Sequence, residues 1–378
     1  MGSGDGDDAI MLGGSYLNIA VKAEASGLHG GDIYTASQRY QVEVDQWIDL
    51  STGLNPRAYL VGDIPQEVFT RLPYELPNLC QAAADYYGND QVMAVSGTQL
   101  AIQCLPQCLP QFDILAPKIG YQEHVLHWSN SGVNISYYPA LEMEVAVKYI
   151  DQELKQNPNR HLLIINPNNP TGLKFTSQQI QVWAKKLAND CYVIVDEAFM
   201  DVSPEHSVLA DLSPNMIVLR SFGKFFGLAG LRLGFVFASQ SIRQALQQKT
   251  GLWAVNGPAQ HVAIKALRDK SWQQTARIDI HKSAVSTQKI FSPLMAFTQP
   301  YRVHHGALFS SYYLSKSLGE QLVDFFAHRG ILIRKIAVDK QTCLLRTGII
   351  HHQDFDSQER VKQCIQYFLV SNKIKDIS

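Results

Sequence analysis

Lys224 and Arg232 place an amine and a guanidinium eight residues apart in a glycine-rich stretch that also holds Ser221, Gly230 and Gly234. A lysine amine can condense with an aldehyde, and a serine hydroxyl and an arginine fork can hold a phosphate. Glycines let the backbone come close to both groups. The pattern therefore predicts a site for a phosphate-bearing aldehyde, although the same stretch taken alone could be a basic surface loop.

Asp196 ends an apolar run, residues 192–196, in a carboxylate. A buried charge needs a partner, and a pyridinium nitrogen would be one. A carboxylate beneath such a ring keeps it protonated, so that the ring accepts the electrons released when a substrate bond breaks. Glu197 could take a structural role as a cap or ion-pair residue. Ring, aldehyde and phosphate together predict pyridoxal 5'-phosphate as the cofactor.

Asn169 lies after the apolar run 162–166, between two prolines that fix the backbone. Ligands of open α/β sheets gather at the carboxyl ends of the strands, where this side-chain amide would be presented. An ordinary Asn-Pro turn is the alternative.

Gly97 and Thr98 follow the run 91–96 and open a helix that Pro106 is expected to limit. The free amides and positive dipole of a helix start suit a phosphate dianion. A good N-cap would explain the same residues. Together with Ser221 and Arg232 they predict a phosphate-binding cup.

Short apolar runs alternate with helix-like stretches, which predicts an α/β fold with a mostly parallel central sheet and helices on both faces. The predicted strands are residues 91–96, 112–116, 162–166, 192–196, 216–220 and 234–238, and one covering helix is predicted over 176–189. From residue 290 the pattern changes to a smaller α+β domain. Its predicted helices cover 318–329 and 359–369, and its apolar runs are 331–334 and 343–346. We expect three parts: an N-terminal tail and arm or lid (1–56), a large cofactor-binding domain (57–289) and a small C-terminal domain (290–378).

The 33 basic and 34 acidic residues of the 378-residue chain nearly cancel. No long-range field then favours nucleic acid or an anionic membrane, and no run approaches the roughly 20 apolar residues of a membrane span. The first eight residues are acidic and glycine-rich, which is typical of a flexible tail. Six scattered cysteines favour reduced thiols and a cytoplasmic protein. Cys104 and Cys108 are close, but without a second pair they indicate no metal site.

The four motifs Asn169-Pro170-Thr171-Gly172, Asp196-Glu197-Ala198, Ser221-x-x-Lys224 and Arg232-x-Gly234 occur in the order and approximate spacing of fold-type I pyridoxal-phosphate enzymes. Over about residues 29–350 the chain resembles a class I/II aminotransferase. The resemblance implies that Lys224 binds the cofactor aldehyde, Asp196 the pyridine nitrogen and Asn169 the ring hydroxyl. It also implies phosphate contacts from Gly97, Thr98, Ser221 and Arg232. Tyr121 would stack on the ring, with His124 as its rival.

Two positions depart from that family's pattern. Phe199 stands where many relatives have a tyrosine that donates to the ring oxygen, so Asn169 would carry more of that work. The resemblance implies a homodimer, because sites in this fold lie at a subunit interface. Leu72 replaces a tyrosine that in many relatives reaches the neighbouring phosphate, so that contact is doubtful here.

Arg346 lies in a segment resembling the one whose arginine pairs with the substrate carboxylate in this family. Arg334 lies twelve residues earlier, where histidinol-phosphate aminotransferases and threonine-phosphate decarboxylases have an arginine for the substrate phosphate. Two guanidiniums suit a doubly anionic amino acid. A surface cation beside Lys335 is the alternative for Arg334.

The segments around His29, around Gly53 and Asn55, and over residues 251–258 resemble cobalamin-pathway threonine-phosphate decarboxylases more than histidinol-phosphate aminotransferases. The resemblance implies that an arm with His29, Gly53 and Asn55 closes over the substrate. The expected reaction is decarboxylation of L-threonine O-3-phosphate to (R)-1-amino-2-propanol O-2-phosphate. Transamination of histidinol phosphate or an aromatic amino acid is the alternative, and a non-catalytic regulator with this fold is a more distant one.

Overall fold

A computed structural model of the chain describes residues 30–375. The strands of this part are β1 (Ile48–Asp49), β2 (Val92–Val95), β3 (Ile114–Pro117), β4 (Ile135–Tyr138), β5 (His161–Ile165), β6 (Val193–Asp196), β7 (Met216–Ser221), β8 (Gly234–Phe237), β9 (Arg302–His305), β10 (Phe309–Ser315), β11 (Ile331–Leu332), β12 (Arg334–Ala337) and β13 (Thr342–Gly348). The α-helices are α1 (Ile33–Tyr40), α2 (Glu67–Thr70), α3 (Leu76–Tyr87), α4 (Thr98–Cys108), α5 (Gln122–Asn130), α6 (Met143–Gln156), α7 (Ser177–Lys186), α8 (Phe222–Phe225), α9 (Gln240–Thr250), α10 (Gly257–Arg268), α11 (Lys270–Thr298), α12 (Lys316–Ala327) and α13 (Phe355–Lys375). Short 3-10 turns occur at Val44–Gln46, Met200–Val202, Pro204–His206, Val208–Asp211 and Ala229–Leu231.

The large sheet has seven strands in the order β2-β8-β7-β6-β5-β3-β4. All neighbours pair in parallel except β8, which is antiparallel to both β2 and β7. Parallel strands need crossover connections and end at the same edge of the sheet. The carboxyl ends of β5, β6 and β7 therefore lie side by side.

Both faces of this sheet are buried. On β6, Val193 and Val195 pack into one apolar cluster, and Ile194 packs into another on the opposite face. Successive side chains of a strand point to opposite faces. Helices α3, α6, α7 and α10 contribute to the first cluster and α4, α5 and α9 to the second. The prediction of an α/β fold with a mostly parallel sheet and helices on both faces is confirmed.

A second unit is built on the antiparallel sheet β12-β13-β10-β9. Helix α11 joins it to the large sheet, because Ala284 packs into the first apolar cluster and Ile290 into the cluster of the second unit. The N-terminal segment belongs with this second unit: β1 pairs in parallel with β11, and Ile48 and Leu50 lie in its core.

Several boundaries differ from the sequence-based expectations. Pro106 lies inside α4, which continues to Cys108, because the buried face formed by Ile102, Leu105 and Pro106 offsets one lost backbone hydrogen bond. Strand β4 was not predicted, since it is a half-exposed edge strand rather than an apolar run. Between residues 30 and 375, no helix combines the length and the apolar character needed to cross a bilayer.

Candidate active site

A cavity of about 250 Å³ lies where β5, β6 and β7 end and α4 begins. It also receives side chains from the loop after β1 and from β12 and β13. The predicted site residues that line it are Gly53, Gly97, Thr98, Tyr121, Asn169, Asp196, Ser221, Lys224, Arg232, Arg334 and Arg346. The fold thus brings together side chains from positions 53 to 346 of the chain.

Two glycines keep one end of the cavity open. Gly97 has φ 75°, and a Cβ there would lie 3.0 Å from Nη2 of Arg232. A Cβ on Gly234 would lie 2.7 Å from the backbone nitrogen of Thr98. The first amides of α4 have no intrahelical acceptor and carry the positive end of the helix dipole. Together with Ser221 at the end of β7, these groups form a cup suited to a phosphate.

Lys224 lies on α8, the single helical turn that follows β7. Burial, followed by the positive charge of Arg346, lowers the pKa of Lys224 to about 8, although Asp196 opposes the change. Its Nζ lies 5.6 Å from the centre of the Phe199 ring. A lowered pKa makes the free amine more abundant near neutral pH, and only the free amine attacks an aldehyde.

Asp196 is 4% exposed and has two partners on its own side of the cavity. His124 Nε2 lies 2.9 Å from Oδ2, and the backbone N–H of Ala198 donates to Oδ1 at 3.0 Å. His124 itself is 1% exposed and does not line the cavity. The structure therefore places His124 behind the Asp196 carboxylate, and not on the cavity wall as a rival of Tyr121.

Tyr121 is held from behind by two polar side chains. Its hydroxyl donates to Gln99 Oε1 at 3.0 Å, and Gln99 Nε2 donates to Glu123 Oε2 at 2.6 Å. Burial and the neighbouring Glu123 raise the pKa of Tyr121 to about 12, so the hydroxyl keeps its proton at neutral pH. This chain of donors fixes the rotation of the ring against the cavity.

Arg346 ties three distant segments together. One terminal nitrogen donates to Asn169 Oδ1 and the other to the carbonyl oxygen of Ser51. Because a guanidinium can only donate, the Asn169 amide must turn Oδ1 towards it, and Nδ2 is left to donate elsewhere. Burial and the nearby Arg334 lower the pKa of Arg346 to about 9. Its buried Nε has no partner among the described residues.

Arg334 lies directly opposite Arg346 in the antiparallel pairing of β12 and β13. Cross-strand neighbours stand roughly 5 Å apart, so two cations share one part of the wall. Within residues 30–375, neither of them nor Arg232 forms a salt bridge with a carboxylate. Three guanidiniums around one cavity of this size call for anionic ligands.

Phe199 forms an apolar wall beside the lysine. Its ring packs edge-on against Phe309, with centroids 5.1 Å apart, and Arg346 lies over the Phe309 ring at 5.5 Å. A Cβ on Gly53 would come within 2.7 Å of the Phe199 ring. Glycine is therefore needed at position 53 for the loop after β1 to approach this wall.

One predicted substrate residue of the described part of the chain, Asn55, does not line the cavity. Asn55 Nδ2 donates to the Phe225 carbonyl at 3.0 Å, and Oδ1 accepts from the backbone N–H of Arg57 at 3.0 Å. Nδ2 of Asn55 thus holds the turn that carries Lys224, and Oδ1 holds its own loop, so in this structure neither atom is turned to the cavity as the predicted role of substrate ligand requires. His29 lies outside the described residues. Leu72 is 51% exposed and reaches no part of this cavity.

Sequence reasoning missed three contributors. Gln99 directly follows Thr98 and accepts the hydrogen bond from the Tyr121 hydroxyl. The two residues are 22 positions apart, and no local sequence pattern links them. Ser51 and Gly30 approach Arg346 through the backbone, and a Cβ on Gly30 would collide with the Ser51 carbonyl. Of these three, only Gly30 was marked by the sequence, through the Gly30-Gly31 pair in the arm.

The family model described as aminotransferase class I and II matches residues 63–338. The chain therefore belongs to the class I and II aminotransferase family.

Among the curated relatives is a threonine-phosphate decarboxylase of Pseudomonas aeruginosa. It is 37% identical over 325 residues, which cover 85% of this chain and 92% of that protein. A histidinol-phosphate aminotransferase of Buchnera aphidicola is 27% identical over 281 residues, covering 72% and 75% of the two chains. The solved histidinol-phosphate aminotransferase of Sinorhizobium meliloti, in complex with pyridoxal-5'-phosphate, superposes with a TM-score of 0.73 at 17% identity and covers 96% of this chain and 99% of that one. The last comparison shows a shared fold.

Proposed function

We propose that the protein is a pyridoxal-phosphate-dependent decarboxylase that converts L-threonine O-3-phosphate to (R)-1-amino-2-propanol O-2-phosphate, a step of cobalamin biosynthesis. One observation carries the proposal: Arg334 and Arg346 face the same small cavity as Lys224, in addition to the Arg232 cup. A substrate with both a carboxylate and a phosphate would occupy two guanidiniums at once. The 37% identity to a threonine-phosphate decarboxylase over most of both chains supports the same reaction.

The residues present fit pyridoxal phosphate. The space between Gly97 and Arg232 would be filled by any larger side chain at position 97, and the amides of α4 face it. Asp196 would hold the pyridine nitrogen, Tyr121 the ring face and Asn169 Nδ2 the ring hydroxyl. When bound, the cofactor supplies an aldehyde that condenses with amines and a ring that accepts the electron pair of the bond broken at the α-carbon.

The side chains of this protein would then determine which bond to the substrate's α-carbon breaks. Arg346 would hold the substrate carboxylate and Arg334 its phosphate, so that the α-carbon is fixed between two anchored ends. Carbon dioxide leaves, and Nζ of Lys224 supplies the proton that takes its place on the α-carbon. The lowered pKa of Lys224 suits that transfer, because a group with a pKa near 8 both takes up and releases protons near neutral pH.

Phe199 and Phe309 would favour loss of carbon dioxide. They form an apolar surface beside Arg346, with the Phe309 ring under its guanidinium. Loss of carbon dioxide would move the negative charge off the carboxylate and into the electron-accepting ring, and an apolar wall disfavours a charged carboxylate beside it more than neutral carbon dioxide.

The second candidate is an aminotransferase acting on histidinol phosphate or an aromatic amino acid, which the relatives at 27% identity favour. Histidinol phosphate would present its phosphate to Arg334, and an amino-acid substrate would present its carboxylate to Arg346. A non-catalytic regulator is less well supported, because a binding role alone would not need a buried lysine with a lowered pKa.

Assays with threonine phosphate, histidinol phosphate and an aromatic amino acid distinguish these three candidate functions. The purified protein, loaded with pyridoxal phosphate, should release carbon dioxide and aminopropanol phosphate in equal amounts without any keto acid. The Lys224→Ala variant is the blank, and Lys249→Ala, at an exposed position, is its matched control. Turnover of histidinol phosphate or an aromatic amino acid that requires 2-oxoglutarate would establish the aminotransferase instead, and absence of turnover with all of these substrates would favour the regulator.

A homodimer and a cytoplasmic location complete the proposal. Tyr74, Leu76, Leu252 and Trp253 line one surface groove and are between 38% and 74% exposed. Exposed apolar patches of this kind mark interaction surfaces, and a second copy of the chain is the occupant that we propose. The location is supported by the cysteines, all six of which are free thiols.

A further inference from the structure

A buried ionic cluster lies behind the strands that carry Asp196 and Ser221. Arg220 Nη1 lies 2.8 Å from Glu197 Oε2, and Nη2 lies 2.7 Å from Asp201 Oδ1. All three residues are at most 1% exposed. Although burial disfavours the charged form, Asp201 and Glu197 raise the pKa of Arg220, so the guanidinium stays protonated.

The cluster and the cavity lie on opposite sides of the carboxyl ends of β6 and β7. Asp196 and Ser221 line the cavity, whereas Glu197 and Arg220 are their immediate neighbours in the chain. Successive residues of an extended chain point in opposite directions. The Glu197 N–H donates to the Leu219 carbonyl at 2.9 Å, which continues the β6–β7 pairing up to this point.

Further contacts hold the cluster rigid. Glu197 Oε2 accepts from the Ser207 hydroxyl at 2.5 Å, and Oε1 accepts from the backbone N–H of Val208 at 2.9 Å. The Arg220 guanidinium lies 4.7 Å from the centre of the Tyr87 ring, and Arg277 Nε donates to the Asp201 carbonyl at 3.1 Å. The loop after β6, the end of β7 and helices α3 and α11 therefore meet at Arg220.

Stability alone does not account for charges at this place. Replacing a buried ion pair by apolar side chains of similar volume is often neutral or stabilising, because desolvation of the ions offsets their attraction. What apolar side chains cannot supply is direction: a two-pronged guanidinium fixes two carboxylates at set positions. The strand ends on either side of that fork carry the groups that face the cavity.

We propose that Arg220 is a positioning residue, which clamps the loop after β6 to the end of β7 and so sets the distance between the Asp196 carboxylate and the Ser221–Lys224 turn. The inference rests on the proposed function only in taking pyridoxal phosphate as the ligand of that turn. It assigns to Glu197 and Asp201 the task of orienting Arg220.

The test compares Arg220→Met with a charge-free triple variant, Glu197→Gln/Asp201→Asn/Arg220→Met, which avoids stranding two buried carboxylates. Arg160→Met is the matched control. Arg160 is also buried and pairs with Glu153 at 2.8 Å, but it precedes β5 at the amino end of the sheet, away from the cavity. Thermal unfolding, the dissociation constant of pyridoxal phosphate and the pH titration of its absorption band are measured for each protein.

We expect the triple variant to fold and to bind pyridoxal phosphate at least about tenfold more weakly, the size typical when residues supporting a ligating group are removed. Its absorption titration should shift, and Arg160→Met should leave binding and titration unchanged. Arg220→Lys, which keeps the charge and one prong, should recover part of the affinity. The inference is overturned if the triple variant binds with parental affinity and titration, or if the Arg160 and Arg220 variants lose affinity in proportion to their loss of stability. None of these readouts depends on the substrate, so failure of decarboxylation in the parent would refute the proposed function alone.

Discussion

His124 Nε2 lies 2.9 Å from Asp196 Oδ2, and both side chains are almost completely buried. The histidine fixes the carboxylate from behind, on the side away from the cavity. A His124→Phe variant removes that partner and leaves a buried carboxylate oxygen unpaired, which costs roughly 1–3 kcal/mol. We expect a lower melting temperature and weaker binding of pyridoxal phosphate, measured by thermal unfolding and by titration with the cofactor. His328→Phe, at an exposed position, should change neither.

The lowered pKa of Lys224 predicts how the cofactor-free protein responds to pH. The pKa is about 8 in the folded chain and 10.5 for an ordinary lysine. Below pH 8 the amine is charged in both states, and the folded state bears the penalty of burying that charge. As the pH rises from 8 to 10.5 the folded protein releases the proton first, so this penalty disappears and stability increases.

The size of this effect is on the order of 3 kcal/mol. In denaturant unfolding, the free energy of unfolding of the parent should rise relative to that of Lys224→Met between pH 8 and 10. Lys249→Met should follow the parent throughout. Equal pH profiles for the parent and Lys224→Met would show that the amine is not desolvated.

Phe199→Tyr should alter the pH titration of the bound cofactor's absorption band. The new hydroxyl would enter the cavity wall near Lys224 Nζ, which lies 5.6 Å from the ring centre, and would add a donor that this wall lacks. The titration is followed by absorption at increasing pH. Phe112→Tyr, just before β3 at the other end of the sheet, serves as the control. An unchanged titration in Phe199→Tyr would refute the idea that the missing hydroxyl tunes the cofactor.

Arg334→Met should raise KM for threonine phosphate by about 10- to 100-fold, since a charge-assisted contact to phosphate is lost. The value of kcat should fall less. Activity with unphosphorylated threonine should be unaffected, which ties the effect to the phosphate. The neighbouring Lys335 pairs with Glu320 at the surface, so Lys335→Met should behave like the parent. Equal KM values for both variants would show that Arg334 does not bind the substrate phosphate.

Leu252→Glu should weaken self-association. Leu252 is 74% exposed and lines the groove with Tyr74 and Trp253, and a buried charge there would be unpaired. Analytical ultracentrifugation should show monomer appearing at concentrations where the parent is a dimer. Tyr367→Glu, on the exposed face of α13, should leave the dimer intact. A parent that sediments as a monomer would refute the proposed homodimer.

The sequence predicted the sheet and the cavity's central residues because these depend on local patterns. Apolar β-branched runs mark buried strands, and glycines around Lys224 and Arg232 mark a close approach of backbone to ligand. The partners of those residues depend on packing between distant segments. The bond from Tyr121 to Gln99 and the bond from Arg346 to Asn169 join positions 22 and 177 residues apart, and no local pattern encodes such distances.

Asn55 illustrates the opposite limit. Its polar side chain in a turn-rich segment suggested a ligand, but the local conformation of the loop turns both of its amide atoms onto backbone groups at Phe225 and Arg57. Whether an asparagine faces a ligand or its own main chain is decided by backbone dihedral angles, which a residue pattern does not specify.

The Arg346 guanidinium donates to the carbonyl of Ser51, 295 residues away in the chain. During synthesis on the ribosome, the early half of the site emerges long before this late arginine can reach it. The cavity can therefore acquire its final shape only after strand β13 has left the exit tunnel. Pyridoxal phosphate can then bind in the completed site only when nearly the whole polypeptide has been synthesised.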